Sequence, residues 1–218
     1  MHPLRAPITR DTLLAALAMP PRPTQFEAPN AAPAAVAVPV RLSPEPTATL
    51  VLRAATLRDH AGEVGFPGGK RDPGDPDLAA TALRELDEEV ALGPADLELL
   101  GALSPVPVIT GRYLIHPFVV ALREGRLPRV ASPEIARLLD VPLLPWLTGA
   151  WTIRGVDVGR REPLPHFELD GCILYGASAY IFHELLAKLA AALGHELPAA
   201  EVGGEVPWGT RYGSGNRR

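Results

Sequence analysis

Apolar positions along the chain change spacing several times, and each change marks an element. "ITRDTLLAALAMP" places them three and four apart, which predicts a short amphipathic helix, with Thr9 or Asp11 as its cap and Pro20 as its stop. The proline-rich "PPRPTQFEAPNAAP" breaks that pattern and reads as an extended, partly mobile connector. "AAVAVPVRL" and "ATLVLRAA" alternate or run apolar over strand lengths, with the turn-like "SPEPT" between them. A glycine- and proline-rich stretch, "GFPGGKRDPGDPD", precedes a helix expected over 76–92 and ended by Gly93-Pro94. "LELLGALSPV" and "LIHPFVVAL" read as strands, "SPEIARLLD" as a short helix and "VPLLPWL" as a further strand. "ILYGASAYIFHELLAKLAAAL" is the strongest helical run. The closing "EVGGEVPWGTRYGSGNRR" has little periodicity and reads as a loosely held tail.

Strands mixed with helices, and a helix towards each end, imply one α/β (α+β) domain. The expected organisation is a helix and connector over 1–33, the folded domain over 34–198 and the tail over 199–218. A 218-residue chain that is 47% hydrophobic can bury a substantial core. The net charge of −4 gives no basic footprint for nucleic acid or an anionic membrane. No apolar run is long enough for a membrane span, and the N-terminus lacks a secretory apolar stretch, so the cytoplasm is the expected location. The single cysteine, Cys172, excludes an internal disulfide; its apolar setting reads as a buried structural thiol. Neither a G-x-G-x-x-G nor a G-x-x-x-x-G-K-[ST] motif is present.

The charge is unevenly spread, and that changes the picture. "RELDEEV" crowds four acidic residues into positions 84–90, although the chain has 25 in all. Asp75 is the expected cap of this helix, with Pro76 at its first position. Ala79, Ala82, Leu83, Leu86 and Val90 then share one face. Glu85, Glu88 and Glu89 form a second patch roughly 120° round, edging the core without entering it. Like charges at this spacing cost a few tenths of a kcal/mol, and a divalent cation reverses the sign. Mg²⁺ takes carboxylates and commonly bridges to substrate phosphates. Arg84 could hold a neighbouring carboxylate or meet a phosphate. A plain solvated acidic face would give the same pattern.

The loop before the helix separates these readings. "GG", a loop and "RELDEEVAL" resemble the Nudix box, G-x5-E-x7-R-E-U-x-E-E-x-G-U, with Arg84, Glu85, Leu86, Glu88, Glu89 and Leu92 in its last part. The stretch from Gly69 to Arg84 is one residue longer than usual, Pro76 fills the slot of the first glutamate and Ala91 replaces the late glycine. Asp75 or Asp77 is the candidate to take over from that glutamate, which supports the loop. Upstream, "TLVLRAATLRDHAGEVGFPGG" resembles the signature of the coenzyme A diphosphatase branch. Arg53, Ala54, Arg58, Gly62, Phe66, Pro67, Gly68 and Gly69 are in register, while Thr49 and Val51 depart. Similarity runs over roughly residues 34 to 190.

The resemblance implies a Nudix α/β/α sandwich with a mixed sheet. It also implies metal-dependent hydrolysis of the coenzyme A diphosphate to 3′,5′-ADP and 4′-phosphopantetheine. Glu85, Glu88 and Glu89 would hold Mg²⁺ or Mn²⁺, with Arg84 beside them. Arg53, Arg58, Phe66, Gly68 and Gly69 would meet the substrate. Hydrolysing a diphosphate needs an activated water and stabilised phosphoryl oxygens, and metal ions supply both. Glycine at 68 and 69 lets backbone approach a ligand closely. For Arg53 and Arg58, surface solubility or an ion pair is an equal alternative to a phosphate contact. Glu134 is a candidate for an additional metal-binding or basic glutamate, and equally a helix-start acid. His60 and His116 have no metal-ligand spacing, and Tyr175 reads as core or pocket wall. The expected partner is a small molecule, with a homodimer left open. Another nucleoside diphosphate derivative, such as ADP-ribose or NADH, or a non-catalytic binding module, are the alternatives.

Overall fold

Alternate residues of the first long strand serve two different cores. The computed structural model describes residues 7–22, 28–159 and 162–203. In it β1 (Ala32–Arg41) turns Val36, Val38 and Val40 to one core and Ala35 and Ala37 to the other. Ahead of it lies α1 (Arg10–Leu17), and after it β2 (Thr47–Arg53), β3 (Val64–Gly65), β4 (Gly68–Lys70) and α2 (Leu78–Val90). Then come β5 (Leu97–Ala102), β6 (Val106–Pro107), β7 (Tyr113–Leu122), β8 (Ile135–Pro142) and α3 (Leu144–Leu147). The chain ends in β9 (Arg154–Val156), β10 (Leu164–Leu169), β11 (Cys172–Leu174), α4 (Gly176–Ala192) and β12 (Glu201–Val202).

The main sheet runs β3-β2-β1-β7-β5, with β4 on β1, β6 on β7 and β8 on β2. Only β1 and β7 pair parallel in it, so the sheet is mixed. A smaller sheet runs β11-β10-β9-β12. On one face Ala82, Leu86 and Val90 of α2 pack on Ala35, Ala37, Val51 and Val120. The small β1 alanines leave room for that helix to sit close. On the other face Leu13 and Ala16 of α1 and Phe182, Leu185 and Leu189 of α4 join Val38, Val40 and Trp146. The result is the expected α/β/α sandwich. Each fully buried leucine there contributes roughly 1.5–3 kcal/mol.

Several local expectations need correcting. "SPEIARLLD" is strand β8, not helix. A register shift opposite Leu52 and Arg53 sends Ile135 and Leu138 to the α2 core and Leu139 and Val141 to the other. The bulge thereby mimics helical spacing in a strand. "VPLLPWL" leaves the strand at Pro142 and turns into α3, with Pro145 in its first turn. Residues 172–174 are strand, and α4 starts only at Gly176. Cys172 is half-buried, not buried, and accepts from Arg137 Nη2 at 3.4 Å. The tail is docked at its start, where Glu201 and Val202 pair with β9. Trp208 and Tyr212 lie outside the described residues.

The connector is tied down where it is described. Lys188 of α4 donates to the carbonyls of Met19 and Pro20 at 3.0 and 3.2 Å, and lies 3.5 Å from Glu184. Glu184 accepts from the Ser104 amide and hydroxyl, and the Ser104 oxygen accepts from the Arg22 amide at 2.6 Å. Arg22 also pairs with Glu162, stacks on Tyr180 and lies 3.1 Å from His183 Nδ1. An arginine cannot accept, so that ring nitrogen must be unprotonated.

Burial, reinforced by Arg22 and opposed by Glu162, lowers the His183 pKa to about 4 from its ordinary 6.5. The unfolded chain therefore binds this proton first. Stability should fall as pH drops from about 6.5 towards 4, by up to about 3 kcal/mol. Urea denaturation at pH 7 and 4.5 checks this: His183→Gln should show the smaller loss between the two.

Candidate active site

The loop between β4 and α2 is held from inside. Asp75 does not cap α2; Asp77 does, accepting from the Ala80 amide at 2.8 Å, so the helix begins at Leu78 and Pro76 precedes it. Asp75 is buried instead. Its carboxylate accepts from Arg84 Nε at 3.1 Å, the Thr81 hydroxyl at 2.9 Å and the Asp72 amide at 3.0 Å. Those bonds, Arg84's first, bring its pKa down to about 2. Arg71 clasps the same loop by donating to the carbonyls of Asp75 and Pro76. Arg84 reaches further, to the Lys70 carbonyl at 3.2 Å, Glu85 at 3.0 Å and Glu88 at 3.1 Å. It is the hub that locks α2 to the loop.

The three glutamates are not equivalent, which corrects the expectation of a patch outside the core. Glu88 is exposed, Glu85 is half-buried and Glu89 is only 6% exposed. The Glu89 carboxylate accepts from the Gly68 amide at 3.3 Å and faces Arg53 Nη1 at 3.5 Å. Burial, helped by the charges of Glu85 and Glu134, pushes its pKa up to about 7 against the pull of Arg53 and the Gly68 amide. Burial also raises Glu85, against Arg84.

At both β4 glycines an added Cβ would collide, with a side chain at one and with backbone at the other. A Cβ on Gly69 would stand 2.4 Å from Glu85 Oε1, and one on Gly68 would stand 2.4 Å from the Ala35 carbonyl. The first packs a carboxylate against bare backbone; the second lets β4 lie on β1.

Arg53 closes the far side, bonded through Nη2 to Glu134 at 2.8 Å. Glu134 sits just before β8, and its carbonyl accepts from the Ala54 amide at 2.7 Å. The structure thus brings Arg53, Gly68, Gly69, Arg84, Glu85, Glu88, Glu89 and Glu134 together. Arg58 is exposed on the 54–63 loop, and Phe66 is buried in the α4-side core. His60 is exposed and pairs with Glu63; His116 and Tyr175 are half-buried. Thr81, which holds Asp75, and Lys70, whose ammonium lies 5.3 Å from the Tyr113 ring centre, escape a sequence reading. A lone threonine inside a helix and a lone lysine after a glycine pair carry no pattern.

Comparison with known proteins gives the family. The NUDIX domain model matches residues 32–152. The chain belongs to the Nudix hydrolase family. It is 37% identical over 176 residues, 79% of this chain and 92% of the relative, to the "Uncharacterized Nudix hydrolase NudL" of Photorhabdus laumondii. A protein of the same name from Cronobacter sakazakii is 43% identical over 62% of this chain and 65% of its own length. Among solved structures, a Caenorhabditis elegans Ap4A hydrolase binary complex is 20% identical at a TM-score of 0.43, covering 51% of this chain and 80% of that one. The NUDIX domain of Shewanella oneidensis NrtR, complexed with ADP ribose, is 23% identical at 0.42, over 58% and 81%. No helix among the described residues is long and apolar enough to cross a membrane.

This Nudix hydrolase is an enzyme of a family that generally needs divalent metal ions. The donor set fits one. Two oxygen-ligand carboxylates, Glu85 and Glu89, are both partly withdrawn from water beside open backbone. Among the described residues no three acidic, histidine or cysteine side chains form a ready cage. Mg²⁺ usually takes one or two carboxylates and completes its shell with water and substrate phosphates.

Gly69→Ala should displace Glu85, a movable side chain, lowering kcat/KM by roughly a hundredfold with little change in stability. Gly68→Ala collides with backbone and should cost about 2–3 kcal/mol of stability. Steady-state kinetics and denaturant melts of both variants check the contrast.

Proposed function

We propose that this Nudix hydrolase cleaves the diphosphate of coenzyme A, giving 3′,5′-ADP and 4′-phosphopantetheine, with Mg²⁺ or Mn²⁺ at Glu85 and Glu89. The observation that carries the reading is Arg53, which opens the "R-A-x3-R-x3-G-x3-F-P-G-G" stretch and whose guanidinium reaches Glu89 and Glu134. The stretch that resembles the coenzyme A branch therefore adjoins the carboxylates that would do the chemistry.

Glu85 and Glu89 would hold the divalent ion, which would supply an acidified water and polarised phosphoryl oxygens. Arg84 orients Glu85 and holds α2 against the loop. The Gly69 backbone lies close beneath Glu85 and the Gly68 amide donates to Glu89, so backbone without side-chain bulk sets the two carboxylates in place. Arg53 presents a planar donor set suited to phosphate oxygens. Arg58, on the exposed 54–63 loop, is the candidate for a second phosphate; Phe66, expected to meet the substrate, is instead buried in the α4-side core. Glu88, paired with Arg84 and exposed, is the candidate third ligand. Glu134 is the candidate for a further metal-binding or proton-accepting role. We place the protein in the cytoplasm, where its free thiol stays reduced, acting on a small molecule, alone or as a homodimer.

A substrate panel with Mg²⁺ and Mn²⁺ tests the substrate. Coenzyme A should give the highest kcat/KM and 3′,5′-ADP as product; ADP-ribose winning by tenfold would remove the coenzyme A assignment. A second measurement tests the carboxylates. Glu85→Gln and Glu89→Gln should each lose roughly 10³-fold in kcat/KM, about 4 kcal/mol of transition-state stabilisation. Their metal-free stability should hold or rise, because a charge withdrawn from water is removed. Near-normal, metal-dependent turnover in both would return the helix to a solvated acidic face.

A further inference from the structure

Arg53 stands between two carboxylates with opposite needs. Nη1 lies 3.5 Å from Glu89, whose side chain is 8% exposed, and Nη2 lies 2.8 Å from Glu134, whose side chain is 52% exposed. Water solvates Glu134, so its charge needs little from a partner. Glu89 has no such solvation, and a buried unpaired charge is costly. Its neighbours in hydrogen-bond or ion-pair range are the Gly68 amide and Arg53. The shorter, stronger bond nevertheless goes to the carboxylate that needs it less. Arg53 is thus anchored at Glu134 while lending its charge to Glu89. Its Nε is buried and has no hydrogen-bond partner among the described residues, so the Nη atoms alone carry its polar contacts there.

A divalent ion at Glu85 and Glu89 would give Glu89 the positive charge that Arg53 now gives, and the two cations would repel. We propose that Arg53 is the placeholder cation of Glu89: it balances that carboxylate before metal binds, then yields it to the metal. This rests on the reading of Glu85 and Glu89 as the metal site. Glu134 keeps the displaced guanidinium at the site, with Nη1 free for a phosphate oxygen. Glu134 then acts through Arg53 as a positioning residue, in place of the metal-binding or proton-accepting role. The bulge at Leu52 and Arg53 makes this arrangement, because it pairs Arg53 with Ile135 and leaves Glu134 next to it.

Mn²⁺ binding, measured calorimetrically without substrate on the full chain, tests the placeholder. Arg53→Gln should bind Mn²⁺ roughly threefold or more tightly than the unsubstituted protein, because a competing charge is gone. It should also melt lower without metal, and saturating Mn²⁺ should close that gap. Glu134→Gln should bind Mn²⁺ more weakly, because Arg53 loses its other anchor and stays on Glu89. Equal or weaker Mn²⁺ binding by a folded Arg53→Gln overturns the proposal. Should that variant not fold, equal or tighter binding by Glu134→Gln overturns it instead. If Glu89→Gln binds Mn²⁺ as well as the unsubstituted protein does, the metal-site reading itself has failed and the placeholder falls with it.

Discussion

The site depends on one unfavourable placement, the carboxylate of Glu89 held almost out of water between α2 and the main sheet. A solvated glutamate on a helix costs nothing and does nothing. Withdrawn to 6% exposure beside Glu85, it becomes reluctant to carry its charge, and burial pushes its pKa to about 7. Such a group gains from any cation that reaches it. One arginine and one backbone amide offset the cost only in part.

The surrounding structure keeps that placement from relaxing. Ala35 and Ala37 offer α2 a flat, small-residue surface, and Leu86 and Val90 of α2 are fully buried against it. Rotating Glu89 into water would drag those side chains out, at roughly 1.5–3 kcal/mol each. The loop on the other side is equally constrained. Asp75, Thr81, Arg71 and Arg84 hold it by side-chain bonds, so Gly68 and Gly69 meet the carboxylates with bare backbone. Lengthening the loop by one residue, with Pro76 where a glutamate usually stands, leaves Asp75 to hold Arg84 while Asp77 caps the helix.

Much of this was legible in the sequence, for different reasons at different places. The acidic helix, the glycine pair and the long strands are readable because each rests on local spacing; their order implies an α/β (α+β) domain, and the sandwich comes only with the Nudix resemblance. The stand-in for the usual first glutamate is narrowed by sequence to Asp75 or Asp77, with Asp75 expected as the cap; only the fold shows that Asp77 caps and that Asp75 is buried against Arg84. What spacing could not give was the depth of Glu89, because burial depends on how close α2 comes to β1. Nor could it give the strand at 135–142, where a bulge moves Ile135 onto the face of Leu138. From sequence Arg53 suits a phosphate contact or an ion pair equally. Its pairing with two glutamates 36 and 81 positions away is a product of tertiary structure.

The central claim is that Glu85 and Glu89 are held together for a divalent ion. Anomalous diffraction from crystals soaked in Mn²⁺ tests it most directly, because it locates the ion without relying on turnover or on a chosen substrate. A peak in contact with both carboxylates, beside Gly68 and Gly69, is the result expected. A well-occupied peak elsewhere, with Glu89 still facing Arg53, would contradict it.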